Sequence, residues 1–375
     1  MGVYPEVIRQ ALIIFPLIAF LITVPYIVYN YRKYGSVLGL RIVIVYSFVL
    51  YLLCIYFLVI LPLPSREEVL AMNGPRAQLL PFRFMADILK EAEIVPGNVK
   101  SWFSVFNGAM FQFLFNVLML APFGIYMRYY FKCSFRKTLL LSFLLSLFFE
   151  LTQLSGLYFI YPRGYRLFDV DDLLANTAGG ALGYFVIQPF LKILPSREEI
   201  DDASYRRGKQ VSFLRRVFAF AADAVCIGIL FGVAGSLMDY AGFSLPEYFS
   251  VFLVLGYFIL LTALTKGQTV GKWLTRTRIA TLEGNRPSIR QYLFRYGLLY
   301  GFLLLLPEAF SHLAGLLSAA GLIGEGLRLL AFALEAVFYL IYFIYGAVQM
   351  ARRRLLFYEK WSCTKIVSNV PEQTP

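Results

Sequence analysis

Residues 37–61 have the sequence VLGLRIVIVYSFVLYLLCIYFLVIL, which is apolar almost throughout. A helix needs about 20 such residues to cross a hydrocarbon core of about 30 Å, and similar runs recur along the chain. Hydrophobic residues make up 59% of the protein and charged residues 15%. A soluble protein of 375 residues needs more polar surface, so lipid must surround most of this chain. We predict an all-α integral membrane protein, a polytopic helical bundle of about nine transmembrane helices in two halves.

The charges in the connecting loops predict how these helices are threaded through the membrane. Basic residues cluster after the first, third, fifth, seventh and ninth spans, and the alternate connections are neutral or acidic. By the positive-inside rule, the N-terminus is expected outside and the C-terminus in the cytoplasm. Because the net charge of +12 lies in these loops, the expected partners are membrane lipids and not nucleic acid. The predicted spans lie near residues 8–30, 37–61, 108–128, 137–159, 172–194, 212–238, 247–265, 292–310 and 330–350.

A polar stretch at about 195–211 is the expected boundary between two domains. We predict a five-helix membrane domain at 1–194, a cytoplasmic linker at 195–211, a four-helix membrane domain at 212–368 and a cytoplasmic tail at 369–375. Two near-copies, LPSREEV at 63–69 and LPSREEI at 194–200, each place Glu three residues after Ser. That spacing is typical of a helix capping box. The four scattered cysteines predict no disulfide framework and no thiolate metal site, and the single histidine excludes a multi-histidine zinc site.

Polar residues inside the predicted spans of the first half form a stripe that needs a reason, because a carboxylate at the centre of a span costs about 2.5–3.5 kcal/mol. Glu150 and Gln153 lie one helical turn apart, and Gln112 and Asn116 share a face of the third span. The fifth span follows Arg166 and an acidic run. Its stripe of polar residues and glycines would let a neighbouring helix approach closely. The acidic run and the stripe comprise Asp169, Asp171, Asp172, Asn176, Gly179 and Gly183.

Two interpretations of this stripe stay open at the level of the sequence. The polar groups could form one pocket that opens outward. Alternatively they could form a structural network, in which Glu150 pairs with Arg166, the amides tie helices together and the aspartates start a helix, where its dipole favours them. The aromatic-rich segment 62–107 is likewise either a connector lying on the membrane surface or a ligand-binding cap.

Three segments of the first half resemble the VanZ-like family: NVLMLAPFG at 116–124, ExxQ at 150–153 and RLFDVDDLLANTAG at 166–179. The resemblance extends over about 40–190. The founding activity of the family is tolerance to the glycopeptide antibiotic teicoplanin. The resemblance therefore implies a multi-pass protein of the bacterial cell membrane that acts at the outer envelope, on peptidoglycan precursors or envelope lipids. It marks as the functional set Asn116, Glu150, Gln153, Arg166, Asp169, Asp172 and Asn176.

The second half carries Arg216 and Asp223 two helical turns apart, and the loop GQTVGKWLTR at 267–276. This loop lacks the glycine spacing and the hydroxyl residue of a phosphate loop, and it follows a membrane helix instead of a strand, so nucleotide binding is not expected. A turn that presents Lys272 and Arg276 to lipid phosphates is the simpler interpretation. Asp223 is either an ion-coupling site or one partner of a buried ion pair with arginine.

These residues resemble the RDD family of small membrane domains over about 210–368. The closing element is RRLLFYEKWSCTKIV at 353–367, in which Glu359 stands where the family has aspartate, and Arg295 also fits the pattern. The resemblance implies ion- or proton-coupled transport, as suggested for some members. It marks as the motif Arg216, Asp223, Thr269, Gly271, Lys272, Arg276 and Glu359.

Three functions follow from these observations. The leading hypothesis is an envelope-modulating membrane protein, either non-enzymatic or of undefined activity and without a cofactor, whose outward pocket engages a lipid-linked or cell-wall component. The second is a transporter that uses Asp223 and the carboxylates around Glu150 and Asp172. The third is an enzyme acting on a lipid headgroup, in which Glu150, Asp169 and Asp172 hold Mg²⁺ or act as general acid and base. It ranks third because the sequence has no recognisable nucleophile motif.

Overall fold

The computed structural model describes residues 3–246, 248–320, 325–352 and 354–371. The chain divides into two compact units, one comprising Met1–Thr23 with Leu38–Ile200 and the other Val24–Val37 with Asp201–Pro375. Arg353 and residues 372–375 of the expected closing element and tail lie outside the described residues.

Helices dominate the first unit, which also has one pair of two-residue strands in parallel register. Its elements are α1 (Val3–Tyr34, shared with the second unit), α2 (Gly39–Ile60), α3 (Arg66–Ala71), β1 (Ala77–Gln78), α4 (Arg83–Glu91), a 3₁₀ turn (Val99–Val105), α5 (Gly108–Tyr129), α6 (Phe135–Leu154), the short turn α7 (Gly156–Phe159), β2 (Phe168–Asp169), α8 (Val170–Val186), a 3₁₀ turn (Gln188–Lys192) and the start of α9 (Arg197–Gly208).

The second unit is also helical and contains one antiparallel two-stranded sheet, in which Thr277 pairs with Ser368 and Thr281 with Thr364. Its elements are α10 (Phe213–Tyr240), α11 (Phe249–Leu264), α12 (Val270–Leu274), β3 (Thr277–Thr281), α13 (Ile289–Tyr300), a π-helical turn (Gly301–Leu305), α14 (Leu306–Ala319), α15 (Glu325–Ala351), α16 (Phe357–Trp361) and β4 (Thr364–Ser368).

Among the described residues, seven helices are long and apolar enough to cross a membrane: Leu12–Tyr34, Gly39–Ile60, Gly108–Tyr129, Phe135–Leu154, Phe213–Tyr240, Ile289–Ala319 and Phe332–Met350. A pair bent by 57°, Val170–Lys192 with Arg197–Gly208, makes an eighth candidate. The all-α membrane fold is confirmed, and the count of nine is not. The expected span at 247–265 is the 16-residue helix α11, which at 1.5 Å per residue covers about 24 Å, less than the hydrocarbon core.

The glycines of α8 place this helix directly against its neighbours. A Cβ atom added at Gly179 would collide with the carbonyl of Val117, and one at Gly183 with the carbonyl of Ala121. From the other side, a Cβ at Gly124 would collide with the carbonyl of Gly180. The predicted close approach along this stripe is therefore confirmed. It holds α5 against α8, the two helices that bear Asn116 and Asp172.

Both predicted capping boxes are present. Ser65 Oγ accepts a hydrogen bond from Glu68 N, and the Glu68 carboxylate accepts one from Ser65 N. Ser196 and Glu199 make the same reciprocal pair. These contacts satisfy backbone N–H groups that the first turn of a helix otherwise leaves without partners.

Candidate functional site

The first unit contains a cavity of about 880 Å³ between the ends of α2, α5, α6 and α8. Apolar walls come from residues such as Leu58, Phe111, Phe115 and Met119. All seven residues that the sequence marked in this half line the cavity, together with Gln112: they are Asn116, Glu150, Gln153, Arg166, Asp169, Asp172 and Asn176. The fold therefore brings together polar groups that lie up to 60 positions apart in the chain.

Amide side chains beside the cavity tie three helices together. Asn116 Nδ2 donates a hydrogen bond to Asp172 Oδ1, which joins α5 to α8. Asn176 Nδ2 donates to Ser146 Oγ at 3.0 Å, which joins α8 to α6. The Asn176 Oδ1 atom is buried and accepts no hydrogen bond from any residue that the structure describes. The amides thus join neighbouring helices, as the network interpretation predicts. The Oδ1 atom of Asn176 remains beside the cavity as an acceptor.

Glu150 is buried, and its carboxylate accepts a hydrogen bond from Asp169 N at 3.0 Å. The ion pair of Glu150 with Arg166, which the network interpretation included, does not occur among the described residues. Arg166 instead donates to the carbonyl oxygens of Val59 at 2.9 Å and Leu61 at 3.2 Å. These carbonyls lie at the C-terminal end of α2, where unpaired carbonyls and the helix dipole attract a cation.

The three aspartates at the start of α8 have three different roles. Asp169 caps α8 by accepting from Asp171 N at 2.8 Å, as the helix-start interpretation predicts, and burial raises the pKa of its carboxyl. Asp172 faces the cavity and Asn116. Asp171 points away and accepts from Phe82 N at 2.6 Å and Phe84 N at 2.9 Å, so it caps α4 from a distant part of the chain.

Asp171 thereby fastens the segment 62–107 to the start of α8, a role that sequence reasoning missed. Phe84 also stacks on Phe113 of α5, with ring centroids 4.1 Å apart. Pro62 is the residue of this segment that lines the cavity. The segment therefore packs beside the cavity as a folded connector and contributes little to its lining. The only signal in the sequence was a third acid in the run Asp169–Asp172.

Among the described residues, no group of three or more histidine, cysteine, aspartate or glutamate side chains is arranged to hold a metal ion. Asp169 faces Gln78 Nε2 at 3.4 Å and the backbone of Asp171, while Glu150 binds a backbone N–H. The geometry gives the Mg²⁺ hypothesis no ligand set.

The second unit gathers part of its marked motif around Asp223, which is buried in α10. The carboxylate accepts hydrogen bonds from Thr269 Oγ1 at 2.6 Å, Gly271 N at 2.7 Å and Tyr257 OH at 2.8 Å. Lys272 Nζ lies 3.8 Å from it. The loop at 267–276 is thus drawn over the helix, and a Cβ at Gly271 would collide with the carbonyl of Ala219.

Of the two alternatives for Asp223, the pair with arginine is not the one formed among the described residues, because Lys272 is the cation beside Asp223. Arg216 lies two turns before Asp223 on the same helix, a separation of about 10 Å along the axis, and its side chain contacts a different carboxylate. Its Nη1 lies 3.1 Å from Glu359 Oε1, and Arg295 Nη2 lies 3.0 Å from the same oxygen. Burial disfavours the charged form of Glu359, but the two guanidinium groups outweigh this effect and lower its pKa.

Two further arginines order the loop that carries this motif. Arg276 lies apart from Asp223, and its Nε donates to the carbonyl of Arg32 at 3.2 Å. Sequence reasoning missed Arg215, which is fully buried and donates to the carbonyls of Thr275 and Arg276, both at 2.7 Å. The sequence indicated this role of Arg215 only by its position next to Arg216 at the start of a helix. Adjacent helical residues point in different directions, so one of the two side chains must face the protein.

Comparison with sequence families shows which domain contains the polar cavity and which contains the Asp223 cluster. Residues 48–192 match the VanZ/LLP1 family, and residues 211–357 match the RDD family. The chain carries a VanZ-like domain followed by an RDD domain. The VanZ-like domain contains the polar cavity, and the RDD domain contains the Asp223 cluster. Glu359 follows the end of the RDD match by two residues, yet it pairs with two arginines inside it. No curated protein and no solved structure matches the chain significantly.

Proposed function

We propose that this envelope membrane protein binds the polar end of a lipid-linked cell-wall or envelope component in the cavity of its VanZ-like domain. Binding there alters tolerance to teicoplanin-type glycopeptides. The observation that carries the proposal is the convergence of Glu150, Asp169 and Asp172 on one cavity of about 880 Å³. Ligand pockets typically measure about 300–1,000 Å³ and combine apolar walls with a few convergent polar groups.

The polar lining favours a ligand rich in hydroxyl, amide or ammonium donors. Three carboxylates and the unpartnered Oδ1 of Asn176 are hydrogen-bond acceptors. Arg166, the cation in the lining, already donates to two backbone carbonyls. Sugar hydroxyls and peptide amides suit this lining better than a phosphate does. These are the groups that a peptidoglycan precursor presents at its polar end.

The proposed location is the bacterial cell membrane, with the cavity open to the outside, the N-terminus outside and the C-terminus in the cytoplasm. Support comes from the alternation of basic and neutral loops under the positive-inside rule. In this orientation the ends of α2 and α6 that line the cavity face the side where cell-wall precursors are used.

The transport and enzyme hypotheses are less well supported. Asp223 accepts three hydrogen bonds and has Lys272 nearby, so a coupling ion would have to displace partners already in place. An enzyme using metal would need ligands that the described residues do not group together.

Susceptibility to teicoplanin tests the proposal in a sensitive Gram-positive host. Wild type, the double variant Asp172→Asn/Glu150→Gln and the control Glu67→Gln/Glu93→Gln are compared at equal membrane abundance. The control removes two exposed carboxylates from the same domain. Tolerance that is conferred by the wild type and the control and lost in the double variant supports the proposal. Equal susceptibility of a host with wild type and a host without the protein refutes the antibiotic role.

A further inference from the structure

The RDD domain has a cavity of its own, with a volume of about 490 Å³, between α10, α13 and α15. Most of its wall is apolar, including Phe213, Phe220, Leu303 and Phe343. Charged groups are confined to one part of the lining, where Arg216, Asp223, Lys272 and Arg295 lie. The cavity is therefore amphipathic, with a charged end and an apolar channel.

The charged end has more cations than its carboxylates neutralise. Three cations, Arg216, Lys272 and Arg295, face two carboxylates, Asp223 and Glu359. Glu359 is shared by both arginines, and Lys272 Nζ is 3.8 Å from Asp223, beyond hydrogen-bond distance. Within the part of the chain that the structure describes, this ammonium makes one hydrogen bond, a long one of 3.4 Å to Thr269 Oγ1, although it has three N–H donors. It also lies 5.4 Å from the centroid of the Phe258 ring and 5.9 Å from that of Tyr296. Lys272 thus has N–H groups left for an anion.

Two tyrosine hydroxyls supply a second and independent observation. Tyr296 OH and Tyr342 OH are both buried and have no hydrogen-bond partner among the described residues, and both tyrosines line this cavity. Tyr296 is 2% exposed overall. Buried hydroxyls are normally paired, so these two remain available as donors to a polar group that enters the cavity. Together with Lys272, they line the same cavity and supply it with O–H and N–H donors.

The position of the cavity indicates which anion fits. Lys272 belongs to α12, which lies in the connection after α11 and outside the candidate spans. The apolar walls come from α10, α13 and α15, which supply candidate spans. An amphiphile aligned with the membrane would place its headgroup at the loop end and its acyl chain between the helices. Basic residues at this depth attract the anionic lipids of the membrane.

We propose that the RDD domain binds an anionic phospholipid in this cavity. Tyr296, Tyr342 and Lys272 donate hydrogen bonds to its phosphate oxygens, and an acyl chain lies along Leu303 and Phe343. This site is separate from the polar cavity of the VanZ-like domain and does not depend on the function proposed for it. It also changes the interpretation of Lys272, which lies in a buried cavity and not on an open membrane surface.

Native mass spectrometry of the full-length protein in mild detergent, titrated with dioleoyl phosphatidylglycerol, measures this binding. The test variant is Tyr296→Phe/Tyr342→Phe, which removes two hydroxyls and keeps the ring shapes. Tyr292→Phe is the matched control, because Tyr292 OH is also buried without a partner but Tyr292 does not line the cavity. Folding should survive all three changes, since each removes an unsatisfied polar atom from the interior.

We expect wild type and Tyr292→Phe to bind the lipid equally, and the double variant to bind it about tenfold more weakly for each hydroxyl that bonded the phosphate. Leu303→Trp, which fills the channel, should also weaken binding. Equal affinity of the wild type and the double variant overturns the proposal. So does binding of inorganic phosphate alone or of oleate alone that matches the lipid in affinity, because a phosphate site or a fatty-acid site would then account for the cavity.

Discussion

Arg295 donates a hydrogen bond of 3.0 Å to Glu359, and the Arg216 guanidinium lies 3.1 Å from the same carboxylate oxygen. Arg295 and Glu359 are both buried, and Glu359 also accepts from Leu356 N at 3.2 Å. One carboxylate thus joins α10, α13 and α16. Because this oxygen serves two cations, its loss leaves both arginines without a counter-charge.

We expect Glu359→Gln to destabilise the RDD domain by about 3–5 kcal/mol, the usual cost of breaking a buried ion pair from one side. Glu359→Asp keeps the charge and should recover part of this loss. Thermal unfolding in detergent, followed by intrinsic fluorescence, measures both. Glu283→Gln is the control, because Glu283 is exposed. If Glu359→Gln and the control have the same unfolding midpoint, the ion pairs of Glu359 with the two arginines do not stabilise the domain.

The packing of α8 on α5 predicts that Gly183→Ala destabilises the VanZ-like domain by about 1–3 kcal/mol, because the added methyl overlaps the carbonyl of Ala121. Gly228→Ala is the matched control, since a Cβ at Gly228, also within a helix, meets no atom within 4 Å. The same unfolding measurement applies. Equal unfolding temperatures of Gly183→Ala and Gly228→Ala would show that α5 and α8 do not pack as closely as described.

Lys272 should titrate near pH 8. Burial lowers the pKa of its ammonium to about 8, the charge of Asp223 opposes this effect, and Arg295 and Arg216 add to it. Asp223→Asn removes the opposing charge and should lower the pKa further, whereas exposed Asp239→Asn should leave it unchanged. Carbon-13 NMR of labelled lysine, assigned with Lys272→Arg, measures the midpoint.

The sign of the linked stability effect follows from the same pKa. The folded domain holds fewer protons than the unfolded chain between about pH 8 and the ordinary lysine pKa of about 10.4. Lys272 therefore contributes a stability that rises with pH across this window. A Lys272 midpoint at or above the ordinary value in the wild type would contradict its burial beside two arginines.

Asp171→Ala should loosen the segment that it caps. The carboxylate accepts two backbone N–H groups at the start of α4, and the loss of a helix cap costs about 1–2 kcal/mol. Hydrogen exchange of residues 82–91 should become faster, while exposed Asp87→Ala leaves the start of α4 as protected as in the wild type. Unchanged exchange on Asp171→Ala would mean that Phe84 stacking on Phe113 alone holds the segment.

Helical periodicity made much of this architecture predictable from the sequence. Long apolar runs gave the membrane class, and the Ser–Glu spacing gave the capping boxes. The stripe from Asp172 through Gly183 gave the face of α8 that meets α5, because residues three and four apart lie on the same side of a helix. The sequence did not decide whether the marked polar residues converge on one cavity, because that depends on how four helices pack.

Partner choice between distant segments was not predictable. One of the two alternatives paired Arg166 with Glu150, but Arg166 binds carbonyls at the end of α2. One of the two alternatives for Asp223 paired it with an arginine, but it lies beside Lys272. The charge of a buried side chain shows that it needs a partner. Which group becomes that partner depends on where the backbone carbonyls of helix ends lie and on the path of the neighbouring loop. The β3–β4 sheet was missed for the same reason, since even its nearest paired residues, Thr281 and Thr364, lie 83 positions apart in the chain.

The central claim is that the acceptor-lined cavity of the VanZ-like domain binds the polar end of a lipid-linked component. The most direct measurement is equilibrium binding of a polyprenyl-linked disaccharide-peptide precursor to the purified protein in nanodiscs. Wild type is compared with Asp172→Asn/Glu150→Gln and with the exposed-carboxylate control Glu67→Gln/Glu93→Gln. We predict that wild type and control bind alike, and that the double variant binds at least about tenfold more weakly. Absence of binding by the wild type, or equal binding by all three proteins, would contradict the claim.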